Sequence, residues 1–434
     1  MTQRRIMNLD LRRRKSILAT RLTSFALFLA VLGPGIITAN VDNDAGGIAV
    51  YSVAGANFGY KLLWVLLPTM IALVVIQEMC SRMGVVTSKG LADLIRENFR
   101  VRITAWMMLA LVITNAANTA SEFAGLAASG EILGLSRYYV VPACALLVWA
   151  LVVKGSYRTV EKIFLVACLV YLAYPISGFL AKPEWTDVLK MTFVPSVELN
   201  PTFMIMVISV IGTTIAPWMQ FYLQASIVEK GTRIEQYGWG RFEVILGCII
   251  AIVIAFFITV ACGATIFKTG SAHITDAAGA AIALRPLAGK FASLLFAIGL
   301  FNASLFAASI LPLSTALTVC EGIGWEKGVN RTFREAKEFY FLYTFLIVIG
   351  AVVVLLPGIG AKHLLTIMIV SQFLNGLLLP VLLILMQRLI NDKELMGEHT
   401  NSLGYNIIAW AMAIGIGLLS IALAFITIFA PSTK

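Results

Sequence analysis

The stretch TANVDNDAGGIAV, residues 38–50, places Asp42 and Asp44 inside a long apolar segment. No other residue between positions 22 and 59 has an ionised side chain. A carboxylate at the centre of a bilayer costs about 2.5–3.5 kcal/mol on insertion scales, so its retention favours a binding site or transport pathway over a structural polar network. The two glycines that follow Asp44 disfavour a straight helix. A broken helix at membrane depth is tolerated where it lines a cavity or is buried in protein, so the stretch predicts a buried site.

The composition of the whole chain is that of a polytopic membrane protein. Of 434 residues, 59% are hydrophobic and 13% are charged, and the mean hydropathy is +0.88, whereas soluble domains carry about 25% charged residues. Apolar runs of the roughly 20 residues that span a bilayer recur along the chain. They predict an all-α protein with eleven membrane helices, near residues 22–54, 61–81, 104–130, 138–154, 161–182, 202–226, 243–267, 291–320, 338–357, 363–388 and 405–430. No large soluble domain fits between them.

The distribution of basic residues predicts the orientation in the membrane. Most of the 33 lysine and arginine residues fall in alternate loops, beginning with the basic segment 1–21. Cytoplasmic loops carry the excess of these residues. The N-terminus is therefore predicted to be cytoplasmic and, after an odd number of spans, the C-terminus to be extracellular or periplasmic. The net charge of +10 then reflects topology and contact with the anionic lipid of a plasma or inner membrane, not nucleic-acid binding.

The sixth predicted span contains a second interruption. It reads MIMVISVIGTTIAPWMQFYLQASIV, in which Gly212 and Thr213 lead to Pro217. Proline inside a helix removes one hydrogen bond and frees a carbonyl on the preceding turn. Freed carbonyls from the two breaks, together with a carboxylate, make a cation site. We expect Asp44 to be the charged ligand, and the role of Asp42, binding or structural, stays open.

The position of the two breaks predicts how the chain is organised. Interrupted spans that open each half, five spans apart, indicate an inverted-repeat secondary transporter with its site at the bilayer midplane. We therefore expect a cytoplasmic N-terminus at 1–21, a first repeat of spans one to five at 22–182, and a second repeat of spans six to ten at 202–388. An extra eleventh span follows at 405–430.

Several longer motifs resemble those of one family. The stretch GPGIITANVDNDAGGIAVYSVAGANFGYKLLWVLL, from Gly33, resembles the first span and loop of the Nramp divalent-metal transporters, which read G-P-G, then D-P-G-N, then A-G-A-x-[FY]-G-Y. The stretches IQEMCSRMGVVTSKGLADLIRENF at 76–99, ASEFAG at 120–125 and SQFLNGLLLP at 371–380 are similar to the second, third and tenth spans of that family. The resemblance covers most of the chain. It implies a leucine-transporter-like fold of five plus five inverted spans with broken first and sixth helices.

The chain departs from the family at the metal ligands. Family D-P-G-N begins here at Asp44, which keeps the metal-binding aspartate, but its asparagine ligand is replaced by Gly47. Family M-P-H begins here at Ala216, so the thioether ligand is lost. A thioether favours Mn2+, Fe2+ and their neighbours over Mg2+ and Ca2+. A wider site without it suits a partly hydrated ion, because Mg2+ dehydrates reluctantly and keeps several waters. The resemblance thus implies the magnesium-transporting branch related to Nramp.

The remaining ligands are expected from the backbone and from the tenth span. Backbone carbonyls near Val41 and Thr213 and the side chain of Gln372 would complete the site, with Gln372 acting as a ligand or gate. Met219 lies close by and would restore a thioether if it turned inward, although packing is its expected role. Further polar side chains are candidates for the shell around the ion, although those near the first break are also candidate helix caps: Asn40, Asp42, Asn43, Gln220, Gln224 and Asn375.

The chain departs from the family at the proton route as well. The histidine of M-P-H is Trp218 here, and the third-span aspartate assigned to proton transfer is Thr119. Neither residue exchanges a proton near neutral pH. The glutamate that follows is kept as Glu122, and we expect Glu78 and Glu122 to belong to structural polar networks.

These observations predict a secondary transporter of divalent metal ions, Mg2+ and also Mn2+, that works by alternating access without proton coupling. Neither enzymatic activity nor a resident cofactor is expected, since no nucleotide-binding loop occurs, and the oligomeric state is open. One alternative is a proton-coupled Mn2+/Fe2+ importer with Glu122 or Asp42 as proton acceptor. A second is an amino-acid or organic-cation transporter of the same fold, although Asp44 would repel a substrate carboxylate. A channel is disfavoured because two breaks suggest alternating access.

Overall fold

A computed structural model describes residues 43–153, 168–268, 270, 274, 276–326 and 333–429. Across these residues the protein is helical and contains no strand. The predicted N-terminal segment 1–21 and the positions Asn40, Val41 and Asp42 lie outside the described residues. The principal helices are α1 (Ala45–Phe58), α2 (Leu63–Thr87), α3 (Leu91–Asn98), α4 (Val101–Ile132), α5 (Arg137–Val153), α6 (Ala173–Leu180), α7 (Trp185–Phe193), α8 (Pro201–Thr214), α9 (Pro217–Lys230), α10 (Tyr237–Cys262), α11 (Ala292–Ile323), α12 (Lys337–Leu355), α13 (Ala361–Ile390) and α14 (Leu403–Phe429). Short helical turns lie at Ala277–Ala280, Arg285–Ala288 and Lys393–Met396.

The chain is an integral membrane protein. Eight helical stretches of the described residues are long and apolar enough to cross a bilayer, and shorter apolar helices lie at Arg137–Val153 and Val170–Leu180. Large apolar side chains point outward from these helices, as Trp106, Phe341 and Ile421 do. Extensive apolar exposure of this kind is unusual in soluble monomers and suits contact with lipid.

The observed helix ends can be compared with the two predicted breaks. The sixth span is interrupted as predicted, because α8 ends at Thr214 and α9 begins at Pro217. The helix after the first break, α1, begins at Ala45, with Asp44 as its N-terminal cap. The chain before the break lies outside the described residues.

Helix α4 packs on α11, α12 and α13. Small residues permit these close approaches. A Cβ atom added at Gly350 of α12 would lie 2.8 Å from the methyl group of Thr119, and one added at Gly125 would lie 2.2 Å from the hydroxyl of Ser304. Helices in membranes associate through such small-residue contacts because lipid supplies no hydrophobic drive.

A polar cluster fixes one end of α2. Arg82 forms an ion pair with Glu78, at 3.3 Å, and donates to the backbone carbonyls of His399 and Thr400. Tyr237, at the start of α10, donates to the Glu78 carboxylate. Glu78 therefore belongs to a structural polar network, as the sequence predicted.

Candidate metal site

The start of α1 is organised by Asp44. Its backbone is extended, with φ −69° and ψ −172°, and its carboxylate oxygen Oδ1 accepts a hydrogen bond from the Gly47 amide at 2.7 Å. This is an N-cap, which satisfies one of the amides that a helix start leaves unpaired. Asn43 does not cap the helix, and its amide instead donates to the carbonyl of Ala251 at 3.4 Å. Gly47 contributes only its backbone, in keeping with the loss of the family's asparagine ligand.

A second carboxylate reaches the same turn. Glu122, on α4, accepts from the Ala45 amide at 3.3 Å through Oε2, so its carboxyl group lies beside Asp44. Glu122 is fully buried, and its Oε1 has no hydrogen-bond partner among the described residues. Sequence reasoning assigned Glu122 to a structural network. Its position beside Asp44 puts it at the first break.

The second break lies between Thr214 and Pro217. Pro217 has no N–H to donate to the Thr213 carbonyl four residues earlier, so that carbonyl is free of its helical partner. The Thr213 hydroxyl is also buried without a partner among the described residues. Ala216 caps α9 through its backbone only and is buried. The break thus presents a carbonyl and a hydroxyl, and no sulfur from Ala216.

A hydrogen bond joins the segments on either side of the site. The Thr214 hydroxyl donates to the Val210 carbonyl at 2.7 Å, so its oxygen accepts from the Tyr51 hydroxyl, also at 2.7 Å. Tyr51 belongs to α1 and Thr214 ends α8. This bond joins α1 to the end of α8, and the sequence alone did not identify Tyr51.

Helix α13 packs directly against both broken helices. A Cβ atom added at Gly46 would lie 1.9 Å from the side-chain nitrogen of Gln372, and one added at Gly212 would lie 2.1 Å from its backbone oxygen. Gln372 therefore lies at the predicted site. Its orientation differs from that expected of a ligand, because its nitrogen faces Gly46 while its oxygen accepts from Asn375 at 2.9 Å.

The other predicted side chains of the sixth span differ in whether they contact the second break. Gln220 contacts the second break, donating to the Ala216 carbonyl at 3.3 Å and accepting from the Cys80 thiol. Gln224 does not reach the break, because its amide donates to the Lys89 carbonyl at 2.9 Å. Met219 is buried in the apolar core, as expected for packing.

The two altered proton-route positions are buried. The ring of Trp218 lies 6.2 Å from that of Tyr222, centroid to centroid. The Thr119 hydroxyl donates to the Asn115 carbonyl at 2.7 Å. Neither side chain has a group that exchanges a proton near neutral pH.

Unpaired buried polar atoms mark the region around the breaks. Such atoms carry a desolvation cost of about 1–3 kcal/mol each, and in native structures they point to water or an ion. Four of them belong to residues at the breaks or in contact with them: Asn43 Oδ1, Glu122 Oε1, Thr213 Oγ1 and Gln372 Nε2. No cluster of three or more histidine, cysteine or acidic side chains occurs in the described part of the chain. With oxygen in three of these four atoms and in Asp44, the donor set fits a hard divalent cation as substrate.

Comparisons with known proteins identify the family of this chain. The family model for natural resistance-associated macrophage protein-like proteins, Nramp, matches residues 35–426. A protein of Mesorhizobium japonicum named divalent metal cation transporter MntH is 27% identical over 93% of this chain and 90% of its own length. One of the same name from Bacillus subtilis is 26% identical over 93% of each chain.

Solved structures share the fold. A crystal structure of the Eremococcus coleocola manganese transporter superposes with a TM-score of 0.76 at 20% identity, covering 94% of this chain and 90% of that one. Mhp1, a transporter of the nucleobase-cation-symport-1 family, superposes with a TM-score of 0.54 at 15% identity, covering 93% and 94%. The fold is leucine-transporter-like, and the chain belongs to the Nramp family.

Proposed function

We propose that this protein is a secondary transporter of divalent metal ions that carries Mg2+, and also Mn2+, by alternating access and without proton coupling. The observation that supports this most is the buried pair of carboxylates, Asp44 and Glu122, at a broken helix, surrounded by polar atoms without partners. Burying an unpaired charge costs free energy, and one divalent cation would neutralise both carboxylates. The relatives named divalent metal cation transporters support the same substrate class.

The donor set supports a hard ion. Ala216 supplies no sulfur at the second break, and Met219 packs in the core. A site with oxygen donors and no thioether favours Mg2+ more than a site that contains sulfur does. Mg2+ keeps several waters and is bound through one or two carboxylates, which fits Asp44 and Glu122.

The surroundings of Glu122 support uncoupled transport. A symported proton needs successive groups that titrate near the working pH. On α4, the residues one and two turns before Glu122 are Asn118 and Asn115, whose amides do not titrate. Helix α12 carries charged residues only in its first turn, Lys337 and Glu338. The membrane potential alone supplies about 2.3 kcal/mol per charge per 100 mV.

The orientation belongs to this proposal. With the N-terminus in the cytoplasm, the loop between α2 and α4 is cytoplasmic, and so is the segment between α13 and α14. The inverted repeats then extend over 22–182 and 202–388. Lysine and arginine concentrate on the side assigned to the cytoplasm, in accord with the positive-inside rule.

Proton-coupled Mn2+ import is the second candidate. The similarity to a manganese transporter and the contact of Glu122 with the Asp44 turn favour it. In that mechanism Glu122 takes up a proton as the metal binds. Transport assays in liposomes with an internal pH indicator separate the two candidates, because only coupled import acidifies the lumen in step with metal uptake.

A further inference from the structure

A chain of hydrogen-bonded side chains connects α11, α4 and α13. We call Thr315, Asn115, Asn118, Asn375 and Gln372 the amide relay. All five are buried, with exposures of 1% or less. Asn115 donates to the Thr315 hydroxyl oxygen at 2.8 Å, and Asn118 donates to the Asn115 side-chain oxygen at 3.5 Å.

The relay is continued by a reciprocal pair between α4 and α13. Asn118 Nδ2 donates to Asn375 Oδ1 at 2.9 Å, and Asn375 Nδ2 donates to Asn118 Oδ1 at 3.1 Å. Asn375 Nδ2 also donates to Gln372 Oε1, at 2.9 Å. Gln372 Nε2, at the end of the relay, has no partner among the described residues and lies against Gly46.

The direction of the relay is fixed at its far end by backbone. The Thr315 hydroxyl donates its one proton to the Leu311 carbonyl at 2.7 Å, as a helical threonine does. Its oxygen therefore accepts from Asn115. Reversing every amide would turn the Asn115 oxygen toward the Thr315 oxygen and leave two acceptors facing each other.

This direction determines which end of Gln372 reaches the site. Its oxygen, the only atom of the side chain that can bind a cation, is held by Asn375. Its nitrogen, a donor, faces the helix turn that Asp44 caps. A metal ion and the waters around it both need acceptors from the protein, so Gln372 in this orientation gives neither of them a ligand.

We infer that Asn118 and Asn375 are positioning residues that hold the Gln372 oxygen away from the transported ion and so bias the site toward a cation that keeps its water. This inference rests on the proposed function. Breaking the reciprocal pair frees the Gln372 amide to turn its oxygen toward the ion. Mn2+ gains more from that oxygen than Mg2+, which gives up its water reluctantly.

The test is calorimetric titration of the full-length protein in detergent with Mn2+ and, separately, with Mg2+. Asn375→Leu, close in shape to asparagine, is expected to lower the Kd for Mn2+ roughly fivefold, the equivalent of one ordinary hydrogen bond, and to change the Kd for Mg2+ less. Adding Asn375→Leu to Gln372→Leu is expected to produce no gain, because the gain requires the Gln372 oxygen. A purely structural role of Asn375 would not alter the ratio of the two Kd values in this Gln372-dependent way.

A matched control removes another buried amide of the same helix. Gln387 lies near the C-terminal end of α13, where its side-chain oxygen accepts from Asn391 at 2.9 Å, outside the relay. Gln387→Leu is expected to leave both Kd values unchanged. If Asn375→Leu does not fold, Thr315→Val removes the anchor of the relay at nearly constant volume, and the same Gln372-dependent gain in Mn2+ affinity is expected at smaller size.

The outcomes separate the inference from the proposed function. If the unmodified protein binds neither metal, the proposed function fails and the inference fails with it. If it binds both metals but the ratio of Kd values is unchanged by Asn375→Leu and by Thr315→Val, the inference alone fails. A gain that persists without Gln372 also overturns the inference.

Discussion

At the scale of single residues, the Asp44 carboxylate both caps α1 and provides one of two buried acids. One carboxylate oxygen caps α1 through the Gly47 amide, which fixes the carboxyl group at the break. Glu122 reaches the neighbouring residue Ala45, so two acids share a buried space. A cation between them would relieve their mutual repulsion, which is the reason to expect metal binding here and not elsewhere on α1.

Replacing Asp44 tests this assignment. We expect Asp44→Ala to abolish Mg2+ and Mn2+ binding, while the cap that it removes costs about 1 kcal/mol of stability, too little to unfold the protein. Calorimetric titration measures binding, and a thermal melt in detergent verifies folding. Asp93→Ala is the matched control, since Asp93 pairs with Arg96 on α3 away from both breaks. Undiminished metal binding by Asp44→Ala would refute the assignment.

Ala216 tests the origin of the metal preference. Ala216→Met returns a thioether to the second break, and we expect the preference for Mn2+ over Mg2+ to rise on the order of tenfold, about 1.4 kcal/mol. The alanine is buried, so added bulk alone has an effect. Ala216→Leu has similar bulk without sulfur and isolates that effect. Equal preferences in the two variants would mean that sulfur does not set the selectivity. Competition of Mg2+ with Mn2+ uptake provides the measurement.

At the scale of helices, the site depends on close contacts that only glycine allows. The broken helix α8 touches the backbone of α13 at Gly212, where an added Cβ would lie 2.1 Å from the Gln372 carbonyl oxygen and 2.4 Å from the Gly376 nitrogen. Both are backbone atoms that cannot rotate away. The contact therefore sets the distance between the second break and Gln372.

Gly212→Ala is expected to destabilise the protein, by about 1–3 kcal/mol or more for an overpacked contact, and to weaken metal binding with it. A thermal melt in detergent records the stability. Gly415→Ala, in α14, serves as control because nothing lies within 4 Å of its added Cβ. Equal melting temperatures for the two variants would show that α8 and α13 separate without cost.

The sequence predicts the helix breaks because the signals that cause them are local. Pro217 cannot donate a backbone hydrogen bond, and Asp44 followed by two glycines is a good N-cap but a poor stretch for a helix interior, so both signals lie within a few adjacent residues. The amide relay is different. Asn118 and Asn375 are 257 positions apart, and their pairing depends on the register in which α4 packs on α13. The asparagines three residues apart in an apolar span signal a buried polar partner, but not which partner.

The orientation of Gln372 also lies beyond sequence reasoning. The family resemblance implies an amide at the site, and in the structure the Gln372 side chain lies against Gly46. The atom that faces Gly46 depends on the hydrogen bond from Thr315 to the Leu311 carbonyl on α11. That bond orients the relay side chains in turn, up to Asn375, which holds the Gln372 oxygen. Residue identity determines the available chemistry, while the packed neighbours select the atom that is presented.

At the scale of the whole molecule, alternating access requires that the two sides of the site face different compartments. The proposed orientation puts the loop before α8 outside and the turn between α13 and α14 inside. Val197 and Glu394 are exposed in these two segments. In intact cells, we expect a membrane-impermeant thiol reagent to label Val197→Cys and not Glu394→Cys. Of the six native cysteines, Cys80, Cys144, Cys248, Cys262 and Cys320 are buried, and labelling of the unmodified protein measures the background of the sixth, Cys168. The opposite labelling pattern would show that the orientation is the reverse of the proposed one.

The most direct test of uncoupled transport at the Asp44 site is to measure Mg2+ uptake and internal pH together in sealed liposomes with the membrane potential clamped. We expect Mg2+ to enter down its gradient while the internal pH stays constant, and Asp44→Ala to stop the entry. Acidification that accompanies Mg2+ entry under the clamp and disappears in Glu122→Gln would contradict the account, because it would show that Glu122 carries a proton with the metal.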